Sequence, residues 1–147
     1  MIGMRISQAK GLFFDRQRVK NAVDRTTRRV LSRFGAFVRT RAKSSIRKRK
    51  KSAPPGKPPS SHTGLLKKFI FFGYDQYQQS VVIGPVKLNA QGQEVPHTLE
   101  QGGVTAISYG KNRGKRIRVE ARPFMGPAFD KELQENMPDM WRDSVRR

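Results

Sequence analysis

From Asp15 to about Ile46 the chain keeps one helical period without a break, and this stretch limits what the rest can build. Val19, Val23, Thr26, Val30, Phe34, Phe37, Val38 and Ser45 recur at three- and four-residue steps. At roughly 100° per residue they fall in one sector. Arg18, Arg25, Arg28, Arg29, Arg33, Arg39, Lys43 and Arg47 fall on the opposite sector. Arg41 lies on the apolar side, where its stem can pack and its head can snorkel to water. Asp15 suits the N-cap position. A helix of ~30 residues is ~45 Å long. That is more than a small core covers, so one end is expected to project or to meet a neighbouring subunit.

The helix cannot continue past the basic run Arg47–Lys51, because Ser52–His62 reads SAPPGKPPSSH, dense in proline. This segment is expected to be an extended, mobile loop. The period then changes. Phe69–Phe72 and Ser80–Gly84 read as strands joined by a connection over Gly73–Gln79. Arg116–Ala121 alternates, with Ile117, Val119 and Ala121 on one face, as in a half-buried strand. Gly110–Gly114 is a basic loop before it. Gly126-Pro127 places a proline at the start of a last helix, whose stripe is Phe129, Leu133, Met137, Trp141 and Val145. Pro138 is expected to break or kink it. The order predicts an α+β fold: a long N-terminal amphipathic helix packed on a small antiparallel β-sheet, with a C-terminal helix.

At 147 residues a single domain is expected over 15–147, after an N-terminal segment 1–14. The charge is the outlying number: 31 Lys and Arg against 11 Asp and Glu give +20. Such an excess repels itself in the compact state and points to a polyanionic partner, nucleic acid first and an anionic membrane second. There is no cysteine, so disulfides, thiolate catalysis and cysteine–zinc sites are excluded, which suits assembly in a reducing cytoplasm. The opening residues hold no signal-peptide stretch, and Phe69–Phe72 is far short of the ~20 residues of a spanning helix. Neither secretion by such a signal nor insertion in a membrane is expected.

No catalytic, metal-binding or cofactor-binding constellation stands out. His62 and His97 lie far apart with no cysteine near either, so metal-ligand spacing is missing, and both read as surface histidines. GKNRGKR over Gly110–Arg116 differs from a P-loop in glycine spacing, in lacking Ser or Thr after the lysine, and in preceding a strand. Asp130, Glu132, Glu135, Asp139 and Asp143 read as a solvated helix face, or as partners for the basic excess of the same or a neighbouring chain. A non-enzyme is expected.

Three stretches, in order, give a further pointer. They are PPSSHTGLLKKFI over Pro58–Ile70, HTLEQGG over His97–Gly103 and ARPFMGPAF over Ala121–Phe129. Together with the long helix ending in a basic run, they resemble the tailed-phage tail-completion or neck-protein family, often labelled minor tail or head–tail connector proteins. The resemblance spans roughly Val19–Val145, although a tyrosine common in the family's second stretch is absent here. Its motif positions are Thr63, Gly64, Leu65, Glu100, Gly102, Pro123, Phe124, Pro127 and Ala128, whose expected task is to build the subunit.

The resemblance implies a structural protein of the virion, made in the host cytoplasm and placed at the head–tail junction. It implies a homo-oligomeric ring, six copies favoured over twelve, through which DNA passes. The neighbours implied are a head-completion or adaptor protein and a tail-tube or tail-terminator protein. The alternative is a stand-alone basic nucleic-acid-binding protein, ribosomal-like or nucleoid-like. Against it, aromatics are not interleaved with the basic residues in the strands and no helix-turn-helix pattern is present. In either case non-specific duplex DNA is the expected ligand. The candidate residues are Arg18, Arg25, Arg29 and Lys43 on the helix, Arg47, Lys48, Arg49, Lys50 and Lys51 after it, and Lys111, Arg113 and Lys115 in the later loop.

Overall fold

The computed structural model describes residues 16–86, 95–107 and 110–144. Segment 1–14, the Asp15 cap and Val145 lie outside the described residues. The fold is α+β: a long helix, two antiparallel hairpins and C-terminal helices.

Helix α1 spans Arg16–Ser45. Its core residues are Val30, Phe34, Val38 and Ala42, continued by Ile46 just past its end. Steps of four residues advance about 40° around a helix. The ladder therefore turns from one partner to the next. Phe34 meets the C-terminal helices, and Gly35 meets the first hairpin. Phe37 falls outside both contacts and is exposed. Before Val30 the helix stands outside the core, with Val19 52% and Val23 57% exposed. The apolar stripe read from the period is thus buried only in its second half.

Helical turn α2 (Leu65–Lys68) leads into hairpin β1 (Ile70–Asp75) and β2 (Ser80–Pro85). The strands run to Asp75, past the expected Phe72, because Gly73 and Tyr74 pair with Val82 and Val81. The connection shrinks to 76–79. There Asp75 Oδ1 accepts the N–H groups of Tyr77 and Gln78 at 2.9 and 3.2 Å, an Asx turn. The hairpin lies along α1: Gln79 Nε2 donates to Asp24 Oδ1 at 3.0 Å, and Arg39 Nε donates to the Ile70 carbonyl at 2.9 Å. Between them a Cβ on Gly35 would lie 2.7 Å from Val81 Cγ2 and 2.9 Å from Phe72 Cδ2. Glycine lets the two elements close.

Helix α3 (Val95–Gln101) and strand β3 (Gly103–Ala106) follow, neither of them read from the sequence. Strand β4 (Arg116–Val119) pairs with β3 and not with the first hairpin, so there are two hairpins where one sheet was expected. Strand β4 stops at Val119, short of Ala121, and Ile117 is exposed. Of the expected half-buried face, Val119 and Ala121 are half-buried and Ile117 is exposed.

Helices α4 (Met125–Glu135) and α5 (Met137–Ser144) close the fold. Pro127 is the third residue of α4 and Pro138 the second of α5. Both sit in first turns, where a missing N–H costs nothing. Pro138 begins a new helix rather than kinking the old one. The buried face is Ala128, Glu132 and Met140, whereas Phe129, Leu133 and Trp141 of the expected stripe are exposed.

Candidate nucleic-acid interface

The basic residues form three separate surfaces. On the outer half of α1, Arg18, Arg25 and Arg29 are exposed and border a shallow groove with Asn21, Ala22 and Thr26. Lys43 does not join them. It is half-buried, with Nζ 5.9 Å from the Phe71 ring. Its pKa is held below the usual lysine value, first by loss of water and then by the charges of Arg39 and Lys67. Ala36 and Thr40 fill the same phase of the helix between Arg29 and Lys43, so the stripe is interrupted.

The second surface is the segment after α1. Arg47, Lys48, Arg49, Lys50 and Lys51 are all exposed. The proline-rich loop beside them is tied down, contrary to the expected mobility. Ser61 N–H donates to the Arg47 carbonyl at 3.1 Å, and residues 47 and 60 form a parallel bridge. Gly56 N–H donates to the Ala121 carbonyl at 2.8 Å, and Arg122 Nε donates to the Ala53 carbonyl at 2.9 Å. Ala53, Pro59 and Ser61 are buried.

The third is the tip of the β3–β4 ribbon, where Lys111, Arg113 and Lys115 are exposed. Gly110 and Gly114 take φ of 80° and 86°, values favourable only to glycine, and turn the chain tightly. Gly114 N–H donates to the Ile107 carbonyl at 2.8 Å. The turn holds cations at the end of a stem whose β4 side is largely exposed.

The carboxylates have structural tasks. Glu100 Oε2 accepts from the N–H groups of Phe124 and Met125 at 2.9 and 3.0 Å, and Oε1 accepts from Gly126 at 2.7 Å. It caps α4 from a distant segment, and Pro127 leaves no fourth donor to satisfy. Arg122 N–H also donates to the Leu99 carbonyl at 2.7 Å. The second and third motif stretches therefore meet in space. A cleft of about 320 Å³ borders Glu100, lined also by Pro85, Pro96, His97, Phe124 and Met125. Glu132, only 3% exposed, pairs with Arg41, which also donates to Glu135 Oε2 at 2.8 Å. The Arg41 head thus ends on two carboxylates, one buried and one exposed, and its pKa is raised, chiefly by the hydrogen bond to Glu132. Glu132 is not part of a solvated face.

The remaining motif positions shape the chain. Gly64 has φ of 81°, and its N–H donates to Ser61 Oγ at 2.9 Å. Thr63 Oγ1 accepts weakly from Leu65 at 3.4 Å. Leu65 is exposed, while its neighbour Leu66 enters the core. Gly102, with φ of 77°, passes so close to Val119 and Ala121 that a Cβ would sit 3.0 Å from their backbone atoms. Pro123 precedes buried Phe124, and Ala128 lies on the buried face of α4.

His62 and His97 are exposed and separate. Among the described residues no three metal-ligating side chains come together, and no helix is long and apolar enough to cross a membrane. Sequence reading missed the exposed apolar side of α4 and α5, because a helical period shows that a stripe exists but not what covers it. It also missed Lys57, which borders the basic loop. Comparison with family models, curated proteins and solved structures gave no match to this chain.

Proposed function

We propose that the chain is a non-enzymatic structural protein of a tailed-phage particle, assembling as a ring, six copies favoured over twelve, at the head–tail junction. In this reading it contacts neighbouring adaptor and tail proteins, and its basic surfaces lie against the DNA that passes. The observation that carries the proposal is the outer half of α1, which runs beyond the core with Val19 and Val23 exposed on one side and Arg18, Arg25 and Arg29 exposed on the other. Exposed apolar residues on a projecting helix suit contact with another molecule. The motif resemblance supports the location. A phage lacking this protein should accumulate filled heads and unattached tails, restored by supplying the protein in trans. Complete infectious particles without it would overturn the proposal.

The stand-alone nucleic-acid-binding alternative is favoured by the bare basic ribbon, since a two-stranded β-ribbon can enter a major groove. Both readings expect duplex DNA to bind without sequence preference and to release steeply with salt. Replacing Arg25 and Arg29 with glutamine should lower the slope of log affinity against log salt by about one unit per lost contact. Thermal stability should hardly change, because exposed charges contribute ~0–1 kcal/mol each. An unfolded double variant would make these arginines structural instead.

A further inference from the structure

We propose that the loop following α1 is a preformed seat for a phosphate of the duplex backbone, built by Arg47, Arg49 and Lys57 and separate from the α1 stripe. It rests on the reading that this protein lies against DNA, but not on its place in a phage particle.

The seat is a hollow of about 400 Å³, lined by those three cations together with Ser60 and with Ser44, whose hydroxyl already donates to the Arg41 carbonyl at 2.8 Å, and no carboxylate lines it. Its shape is set by local chemistry. Pro54-Pro55-Gly56-Lys57 forms a turn closed by Lys57 N–H donating to the Pro54 carbonyl at 3.3 Å. Proline at the second position and a glycine with φ of 75° at the third are what a type II turn requires. The turn is anchored by the Gly56–Ala121 and Arg122–Ala53 hydrogen bonds, and the Arg47–Ser60 bridge closes the other side. Arg47 helps hold the loop through its carbonyl, which leaves its guanidinium outside that framework. Three cations set around one hollow would repel one another, and an oxyanion relieves that repulsion. Arginine forks and serine hydroxyls are the donors that phosphate oxygens accept from.

Distance separates this seat from the first surface. From Arg25 to the end of α1 at Ser45 the helix rises about 30 Å. One phosphate cannot touch both, so their contributions to binding should separate.

The test uses the full chain and a mixed-sequence duplex of about 20 base pairs, titrated over a range of salt. Arg49→Gln with Lys57→Gln should weaken binding about tenfold near physiological salt and lower the salt slope by about two units. The Arg25→Gln, Arg29→Gln pair should add to this loss independently. Gly56→Pro keeps every charge, but removes the N–H given to Ala121 and cannot take the positive φ. With the fold checked by circular dichroism, it should weaken binding severalfold while leaving the salt slope nearly unchanged. If Gly56→Pro binds like the parent, the loop acts as diffuse charge and the preformed seat is wrong. An unchanged slope in the Arg49, Lys57 variant overturns the assignment, and so does a loss confined to a poly-glutamate probe or to tripolyphosphate with duplex binding intact. Loss of duplex binding in a protein dispensable for particle assembly would support the seat while removing the phage reading.

Discussion

Glu100 stands 24 residues before Phe124, whose N–H it accepts, and this one side chain fixes where α4 starts. No capping residue lies at the local position, because Phe124 offers no side-chain acceptor. Glu100→Ala should therefore cost about 2 kcal/mol, the loss of a cap plus stranded backbone donors, read as a lower denaturant midpoint. At Gly35 two effects oppose each other. Alanine would gain about 1 kcal/mol of helix propensity, but its Cβ must displace Val81 and Phe72. Overpacking of this kind costs ~1–3 kcal/mol, so Gly35→Ala should be destabilising by about 1 kcal/mol in chemical denaturation. Lys43 has the opposite character. Its proton is held more weakly folded than unfolded, so between the folded pKa and the unfolded value of ~10.4 the unfolded state binds more protons and stability rises with pH. Lys43→Met should remove that rise and stabilise the protein at neutral pH by about 0.5 kcal/mol. A lower melting temperature in the variant would show that the contact with Phe71 outweighs the repulsion.

Among the elements, the two hairpins differ in what covers them. The first packs Phe72 and Val81 against Gly35 of α1 and bonds to the helix at both ends. The second is exposed along β4 and through its basic turn. Protection from hydrogen exchange follows burial of the surrounding structure. Amides of 70–75 and 80–84 should thus exchange orders of magnitude more slowly than those of 103–106 and 116–119. Equal protection would mean that something covers the ribbon in solution. The proline-rich loop also belongs to the folded unit, since Ala53, Pro59 and Ser61 are buried and its backbone bonds to Ala121 and Arg122. Its alanine, prolines and serine read as linker composition. Two of its anchors, the Ala121 carbonyl and the Arg122 guanidinium, come from a distant segment of the chain, and no local pattern announces such partners.

For the whole molecule the dominant quantity is +20 on 147 residues. Self-repulsion at that density weakens the compact state, and salt screens it within about 10 Å at 0.1 M. Raising sodium chloride from low concentration should raise the melting temperature, and short duplex DNA at low salt should raise it further through linkage. A melting temperature indifferent to salt would mean that the charges are already too far apart to interact. Partly exposed apolar residues lie on different elements: Val19 and Val23 on α1, Leu133 on α4, Trp141 on α5. Contact between unlike faces of identical subunits closes a ring when the rotation permits. If these faces meet in the proposed ring, Val23→Asp or Trp141→Lys should reduce the sedimenting species to monomer without unfolding it.

The sequence by itself determined the α+β class, the length of α1, the positions of β1, β2 and β4 to within a few residues and the places where proline stops a helix. These follow from period, turn chemistry and backbone sterics, which act between near neighbours. The three-dimensional fold alone decided that the strands form two hairpins and not one sheet, that Glu100 caps α4, that Arg41 ends on Glu132 and Glu135, and that Lys43 leaves the basic stripe. Each of these depends on which distant segment arrives at a given face. A period records that a face is apolar or charged; it carries no information about what will cover it.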